Sequence, residues 1–179
     1  MRLPGYALLI LLFSLFPAAR SVAAQAPDSV AEIGAGEGFR ARIPGGAVVA
    51  RDSTVYPGGK VLLRVRWTSP LDHPMYHVEF TEYPAGSLGR FPPAQILKES
   101  VERLAGISKG TVTESREMRL GSYPGLAFTI TGENGENTEV RGRYFVVGER
   151  LYTIYVLFAP SVGAPHLQAF LDSFQLAER

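Results

Sequence analysis

His73, His77 and Glu79 are the residues of this chain whose types and spacing come nearest to a chemical site. Alternate residues of an extended chain point to the same side, so His77 and Glu79 would share one face of a strand and could ligate a metal ion. His73 has the same parity, but Pro74 separates it from the strand, which leaves the third ligand open. The solvent-facing side of a half-buried strand explains the same residues. Both interpretations stay open.

Basic residues at alternate positions form a second candidate site. Lys60, Arg64 and Arg66 lie along one predicted strand, and Arg141 and Arg143 lie along another. Guanidinium groups bind carboxylates and phosphates, so an anionic ligand could bind where the two stripes meet. Arginines at alternate positions of a strand are also typical of the solvent-exposed face of a sheet. We take the four arginines as the candidate partner-binding residues.

Catalytic and cofactor signatures are absent from the sequence. There is no cysteine and no G-x-S-x-G motif, the three histidines have no visible nucleophile beside them, and the glycine-rich pieces lack the spacing that cradles phosphate. Aromatic residues such as Tyr144, Tyr152 and Tyr155 could line a ligand pocket, but at strand positions they are usually core residues or cross-strand pairs. We therefore predict that the protein is not an enzyme and has no cofactor.

The C-terminal third shows which elements must position these residues. The run 151–158 is apolar on both alternating faces, which is typical of a strand covered on both sides. Gly148-Glu149 joins it to the segment 138–147, and two residues with glycine first suit a type II′ hairpin. Antiparallel pairing with a layer on each face is the best local prediction.

Two amphipathic helices are predicted to supply those layers. One carries an apolar stripe of Ile96, Leu97, Val101 and Leu104 and has Arg103 outside the stripe. The last helix has a stripe at i, i+3, i+4 and i+7 made by Leu167, Phe170, Leu171 and Phe174. The predicted fold is α+β, an α/β/α sandwich in which one mainly antiparallel sheet has a helix on each face.

Three short stretches carry a family resemblance: YPG at 123–125, GRYFVVGERLYTIYV at 142–156 and FLDSFQL at 170–176. Together they resemble the C-terminal half of PsbP-like domains, an α/β/α sandwich family, and the layout is similar over residues 39–176. PsbP-like proteins are extrinsic photosystem subunits, and relatives of the fold include a protein that binds a small GTPase. The resemblance therefore implies docking rather than catalysis, and nothing in the sequence transfers the photosystem role.

The first 24 residues are predicted to be a secretory signal peptide. Arg2 precedes an apolar stretch over 6–16, and Val22-Ala23-Ala24 has small residues where a signal peptidase cuts. A membrane span needs about 20 apolar residues, so no span is expected after cleavage. Residues 25–37 are predicted to be a flexible linker and 38–177 a single PsbP-like domain.

The charge balance limits the choice of partners. Loss of Arg2 and Arg20 with the leader lowers the formal charge from +1 to about −1, so no global field favours nucleic acid. We predict a periplasmic or secreted, non-enzymatic binding or assembly module that docks on an unknown protein partner. The alternative is a periplasmic protein that binds a small molecule or a metal, with His77 and Glu79 as the first residues to test.

Overall fold

A computed structural model describes residues 29–57, 59–132 and 138–177 of the chain. The predicted signal peptide and the dipeptide Asn134-Gly135, a sequence that predicts a hairpin turn, lie outside the described residues. Within them, strands predominate, and two α-helices are present.

The main feature is a seven-stranded sheet in which every neighbouring pair is antiparallel. In spatial order its strands are β3 (Val48–Val55), β4 (Val61–Thr68), β5 (Met75–Glu82), β9 (Arg150–Phe158), β8 (Glu139–Val147), β7 (Tyr123–Gly132) and β6 (Gly110–Leu120). The predicted hairpin between β8 and β9 is confirmed. Its loop is Gly148-Glu149, and Gly148 has the positive φ of 59° that the first position of a type II′ turn requires.

A second, three-stranded sheet is formed by β1 (Val30–Ile33), β2 (Phe39–Pro44) and β10 (Gln175–Leu176), with β2 in the middle. Strand β1 lies inside the segment 25–37 that the sequence predicts as a flexible linker, so for these residues that prediction is wrong. Ile33 pairs with Ala41 and is only 6% exposed. Strand β1 has only four residues and is followed by Gly34 and Gly36, so its apolar alternation is too short to recognise in the sequence. Burial of Ile33 attaches the strand to the core.

The helices are α1 (Pro93–Ile107) and α2 (Leu167–Asp172). Helix α2 ends earlier than its apolar stripe predicts, and Phe174 lies beyond it. The Ser173 hydroxyl donates a hydrogen bond to the Phe170 carbonyl (2.6 Å) and accepts one from the Arg42 N–H (2.9 Å), so the chain turns toward β2 and forms β10. Neither helix in the described ranges is long and apolar enough to cross a membrane.

The two faces of the seven-stranded sheet belong to different hydrophobic clusters, as the alternation of β9 shows. Leu151, Tyr155 and Leu157 pack in the cluster that contains α1, whereas Ile154 and Val156 pack in the cluster that contains α2. We call these sides the α1 face and the α2 face.

The structure confirms a mixed α+β fold with antiparallel sheets. The two covering layers differ, however, because α1 has 15 residues and α2 has only six. Helix α1 packs on β6, β7 and β8. On the α2 face, a six-residue helix shares the covering role with β2, whose Phe39, Ala41 and Ile43 are essentially fully buried. A single sheet between two equal helices is therefore too simple a description.

Phe174 is buried although it lies outside helix α2. Its substitution therefore tests how much the layer on the α2 face stabilises the protein. Its ring lies 5.4 Å from that of Phe39, 5.9 Å from that of Phe145 and 5.4 Å from that of Tyr152. Phe174→Ala should lower the free energy of unfolding by about 3–5 kcal/mol, a large share of the roughly 5–15 kcal/mol that stabilises a domain.

Urea denaturation measures this change, and Ile107→Ala is the matched control because Ile107 is 75% exposed. Equal urea midpoints for Phe174→Ala and Ile107→Ala would contradict the packing of Phe174 between the two sheets.

Candidate functional site

The α1 face of β4 and β5 is polar because α1 covers only the other half of the sheet. The strand register places Arg66 opposite Glu79 and Glu79 opposite Thr153. Arg64 is opposite Thr81 in the same way. The predicted metal-ligand pair and one of the two predicted arginine pairs therefore meet at one place.

His77 and Glu79 contact each other on this face. His77 is 7% exposed, and its Nε2 lies 3.7 Å from Glu79 Oε2. The other ring nitrogen, Nδ1, lies 3.2 Å from Thr68 Oγ1, and the imidazole stacks on the Tyr155 ring with centroids 4.5 Å apart. Glu79 Oε1 accepts a hydrogen bond from Thr81 (3.2 Å). The polar groups of both residues are thus held by protein partners.

The metal site itself stays a prediction. Within the described residues, no group of three His, Cys, Asp or Glu side chains is arranged to hold a metal ion. His73, the possible third ligand, lies in the loop between β4 and β5. The structure brings together the two predicted ligands and supplies no third such ligand in the part that it describes.

Three guanidinium groups line the same site. Arg64 Nε lies 3.4 Å from Glu79 Oε1, and Arg66 forms an ion pair with Asp52 (2.6 Å). Arg103 comes from α1 and has no carboxylate partner among the described residues. The sequence places Arg103 outside the apolar stripe of α1 but does not show which flank of the helix faces β4 and β5, so its role was missed.

These residues surround a cavity of about 250 Å³ between α1 and the sheet, which we call the arginine pocket. Its charged members are Arg64, Arg66, Arg103 and Glu79, the imidazole of His77 lies beside them, and its apolar wall includes Leu104 and Leu151. Because Glu79 is the one carboxylate on the lining, the pocket has an excess of positive charge.

Tyrosine hydroxyls complete the lining of the arginine pocket. Burial, and then the negative charge of Glu79, raise the pKa of Tyr155 to about 12. Burial also raises the pKa of Tyr144, which hydrogen bonds with Thr153, and the pKa of Tyr83. These hydroxyls are therefore neutral hydrogen-bonding groups at physiological pH. Tyr144 is a core residue as predicted, and its side chain also borders the cavity.

The second arginine pair lies on the opposite face of the sheet. Arg143 pairs with Ile154 of β9, and its guanidinium donates hydrogen bonds to the Leu171 carbonyl (3.0 Å) and to Asp172 (2.6 Å) of α2. Arg141 forms an ion pair with Glu139 and lies over the Phe158 ring. The hypothesis that one anion bridges the two arginine stripes is therefore wrong, because the sheet separates them.

A larger cleft of about 760 Å³ opens near the β8–β9 turn. Its cation, Arg150, is already engaged by Glu82 (2.5 Å) and by the Glu37 carbonyl (2.6 Å). The guanidinium also lies 4.4 Å above the Phe80 ring. Arg150 thus joins the small sheet to the large one, and the arginine pocket is the better candidate for binding.

Comparisons with known proteins bear on the fold. No family model matches the sequence, and a search of curated proteins found no match. Among solved structures, the chain is similar to cyanobacterial PsbP from Synechocystis sp. PCC 6803, with a TM-score of 0.56, 12% identity, and coverage of 91% of this chain and 99% of that one. The chain has a PsbP-like fold.

A second solved structure is less similar. It is a protein of unknown function from Pseudomonas aeruginosa, with a TM-score of 0.39, 10% identity, and coverage of 74% of this chain and 84% of that one. The predicted PsbP-like resemblance is thus confirmed for the fold, whereas identities this low say nothing about the site.

The raised pKa of Tyr155 predicts a loss of stability in alkali. The folded protein keeps this proton up to about pH 12, while an unfolded chain releases it near the ordinary tyrosine value of 10.0. Stability from Tyr155 is therefore present below pH 10 and lost as the pH rises to about 12, with a total near 2–3 kcal/mol.

Urea unfolding at about pH 9 and about pH 11.5 measures this loss. Tyr155→Phe should show a smaller loss than the wild-type protein, and Tyr56→Phe, at a side chain 45% exposed, should not. A loss that is equal in all three proteins would contradict the burial of the Tyr155 hydroxyl.

Proposed function

We propose that this protein is an exported binding module that docks on a protein partner and catalyses no reaction. One observation carries the proposal: β3, an edge strand of the large sheet, is exposed along its whole length. Val48, Val49 and Val55 are 56%, 50% and 69% exposed. A long edge strand with apolar side chains is a surface on which another chain can add a strand.

The geometry of β3 suits an extended segment of a partner protein. All eight residues pair with β4 on one side, which leaves the outer backbone edge of β3 available. The register puts Val48 on the α1 face and Val49 and Val55 on the α2 face, so the partner segment needs apolar side chains on both faces.

Charges in the middle of β3 act against pairing with a second copy. Arg51 forms an ion pair with Glu37, and Asp52 forms one with Arg66. These ion pairs hold charged side chains in the middle of β3, and charged residues on an edge strand are a usual protection against pairing with a second copy. We therefore assign the edge to a different protein.

The four candidate arginines contribute less to docking than the sequence suggests. Arg64 and Arg66 line the arginine pocket, and the Arg143 side chain is only 17% exposed because it is tied to α2. Arg141 keeps half of its side chain exposed, but its guanidinium forms an ion pair with Glu139. The PsbP-like fold supports docking through its resemblance to extrinsic subunits, and export rests on the pattern of the leader.

In-cell crosslinking tests this proposal. With a photo-crosslinking residue at position 53 in the native host, the adduct should contain a different protein and should fractionate with the periplasm or the medium. Val49→Lys combined with Val55→Lys should reduce that adduct about tenfold or more, because each Lys disfavours burial of the edge at an interface.

Val162→Lys is the matched control, since Val162 is 63% exposed and belongs to the segment between β9 and α2 rather than to β3. Both variants should keep the wild-type urea midpoint. An adduct that joins two copies of this chain, or one that the double variant leaves unchanged, would contradict the proposal.

A further inference from the structure

We propose that the arginine pocket binds a small organic anion, namely a monocarboxylate with a short apolar body. The site goes beyond the proposed docking function and does not depend on it, because its wall is made by α1, β4, β5, β8 and β9 and does not include β3.

The charge of the lining indicates an anion. Arg64, Arg66 and Arg103 face a single lining carboxylate, Glu79. Arg66 is held by Asp52, a β3 residue outside the lining, which fixes its guanidinium without filling the cavity. Arg103 has no carboxylate partner in the described part of the chain. A guanidinium presents a fork of N–H donors that matches the two oxygens of a carboxylate.

The walls indicate what is attached to the carboxylate. Leu104 and Leu151 contribute aliphatic groups, and Tyr83 and Tyr155 contribute rings. The polar floor is buried, since His77, Thr81 and Thr153 are 7%, 5% and 8% exposed. Sites for drug-sized ligands measure about 300–1,000 Å³. A cavity of about 250 Å³ therefore suits a ligand near the size of benzoate.

Glu79 predicts whether removal of a charge should strengthen or weaken binding of the anion. Its carboxylate lies 3.4 Å from Arg64 Nε, so it occupies a guanidinium that an incoming anion would use. The same carboxylate would repel the anion. Removal of this charge should therefore strengthen binding, whereas a metal site built on His77 and Glu79 would lose a ligand.

Isothermal titration of the purified protein with sodium benzoate tests the site. We expect saturable 1:1 binding by the wild-type protein. Arg103→Gln should weaken it about tenfold or more, the usual effect of losing a charge-assisted hydrogen bond, and Glu79→Gln should tighten it severalfold. Arg40→Gln, an exposed arginine of β2, is the control and should leave the affinity unchanged.

Three further titrants separate the alternatives. Benzyl alcohol, which lacks the charge, and inorganic phosphate, which lacks the apolar body, should both bind more weakly than benzoate. Tighter binding of either one, no benzoate binding, or weaker binding by Glu79→Gln with a wild-type fold would overturn the proposal. Stoichiometric Zn²⁺ binding that is lost in Glu79→Gln, without benzoate binding, would assign the pocket to a metal instead.

Discussion

Strand β9 carries apolar side chains on both faces, and each face has to be covered by a different layer of the protein. Ile154 and Val156 are fully buried on the α2 face, and Leu151 is 7% exposed on the α1 face. At about 25 cal/mol per Å² of apolar surface, neither face could be left open without a large loss of stability. Burial of β9 therefore requires three layers, and the remaining elements are arranged around it.

The layers on the two faces of the large sheet cover different strands. The strands that they leave uncovered form the arginine pocket and the exposed edge. Helix α1 packs on β6 to β8, and the polar α1 face of β4 and β5 borders the arginine pocket. On the other face, the small sheet and α2 cover β4, β5 and β9 through the cluster around Phe39. Strand β3 lies beyond both layers and is exposed on both faces. The pocket and the edge strand are thus two distinct surfaces, and the ion pair between Arg66 and Asp52 lies between them.

Local patterns in the sequence predicted the elements well, because period-two and period-3.6 alternation and turn residues act over a few positions. The two-sided strand at 151–158 and the glycine-first hairpin before it are examples. The same parity argument put His77 and Glu79 on one face, where the structure places them. What was missed depends on contacts between distant segments. The end of α2 before Phe174 is set by pairing with β2, and the short strand β1 is ordered by burial of Ile33.

The candidate site also depends on contacts between distant segments, which the sequence did not predict. Arg64 and Arg141 both follow period two, but the register of their strands puts them on opposite faces, and a shift of one residue would reverse this. Arg103 is exposed, as its position outside the apolar stripe of α1 predicts, but only the packing of the helix on the sheet shows that it borders the pocket. The sequence therefore predicted Arg64, Arg66, His77 and Glu79 as site residues, in two separate hypotheses, and the strand pairing brought them together in the arginine pocket.

Hydrogen exchange of the isolated protein tests the arrangement of layers around β9 most directly. Amides of β9 and β5 should exchange only when the whole domain unfolds, which slows them at least about a thousandfold relative to an unfolded chain. Amides of β3 on its outer edge should exchange at nearly the unprotected rate, because no strand pairs with them. Outer amides of β3 as protected as those of β9 would mean that the edge is already covered, which would contradict a three-layer core centred on β9 with β3 outside it.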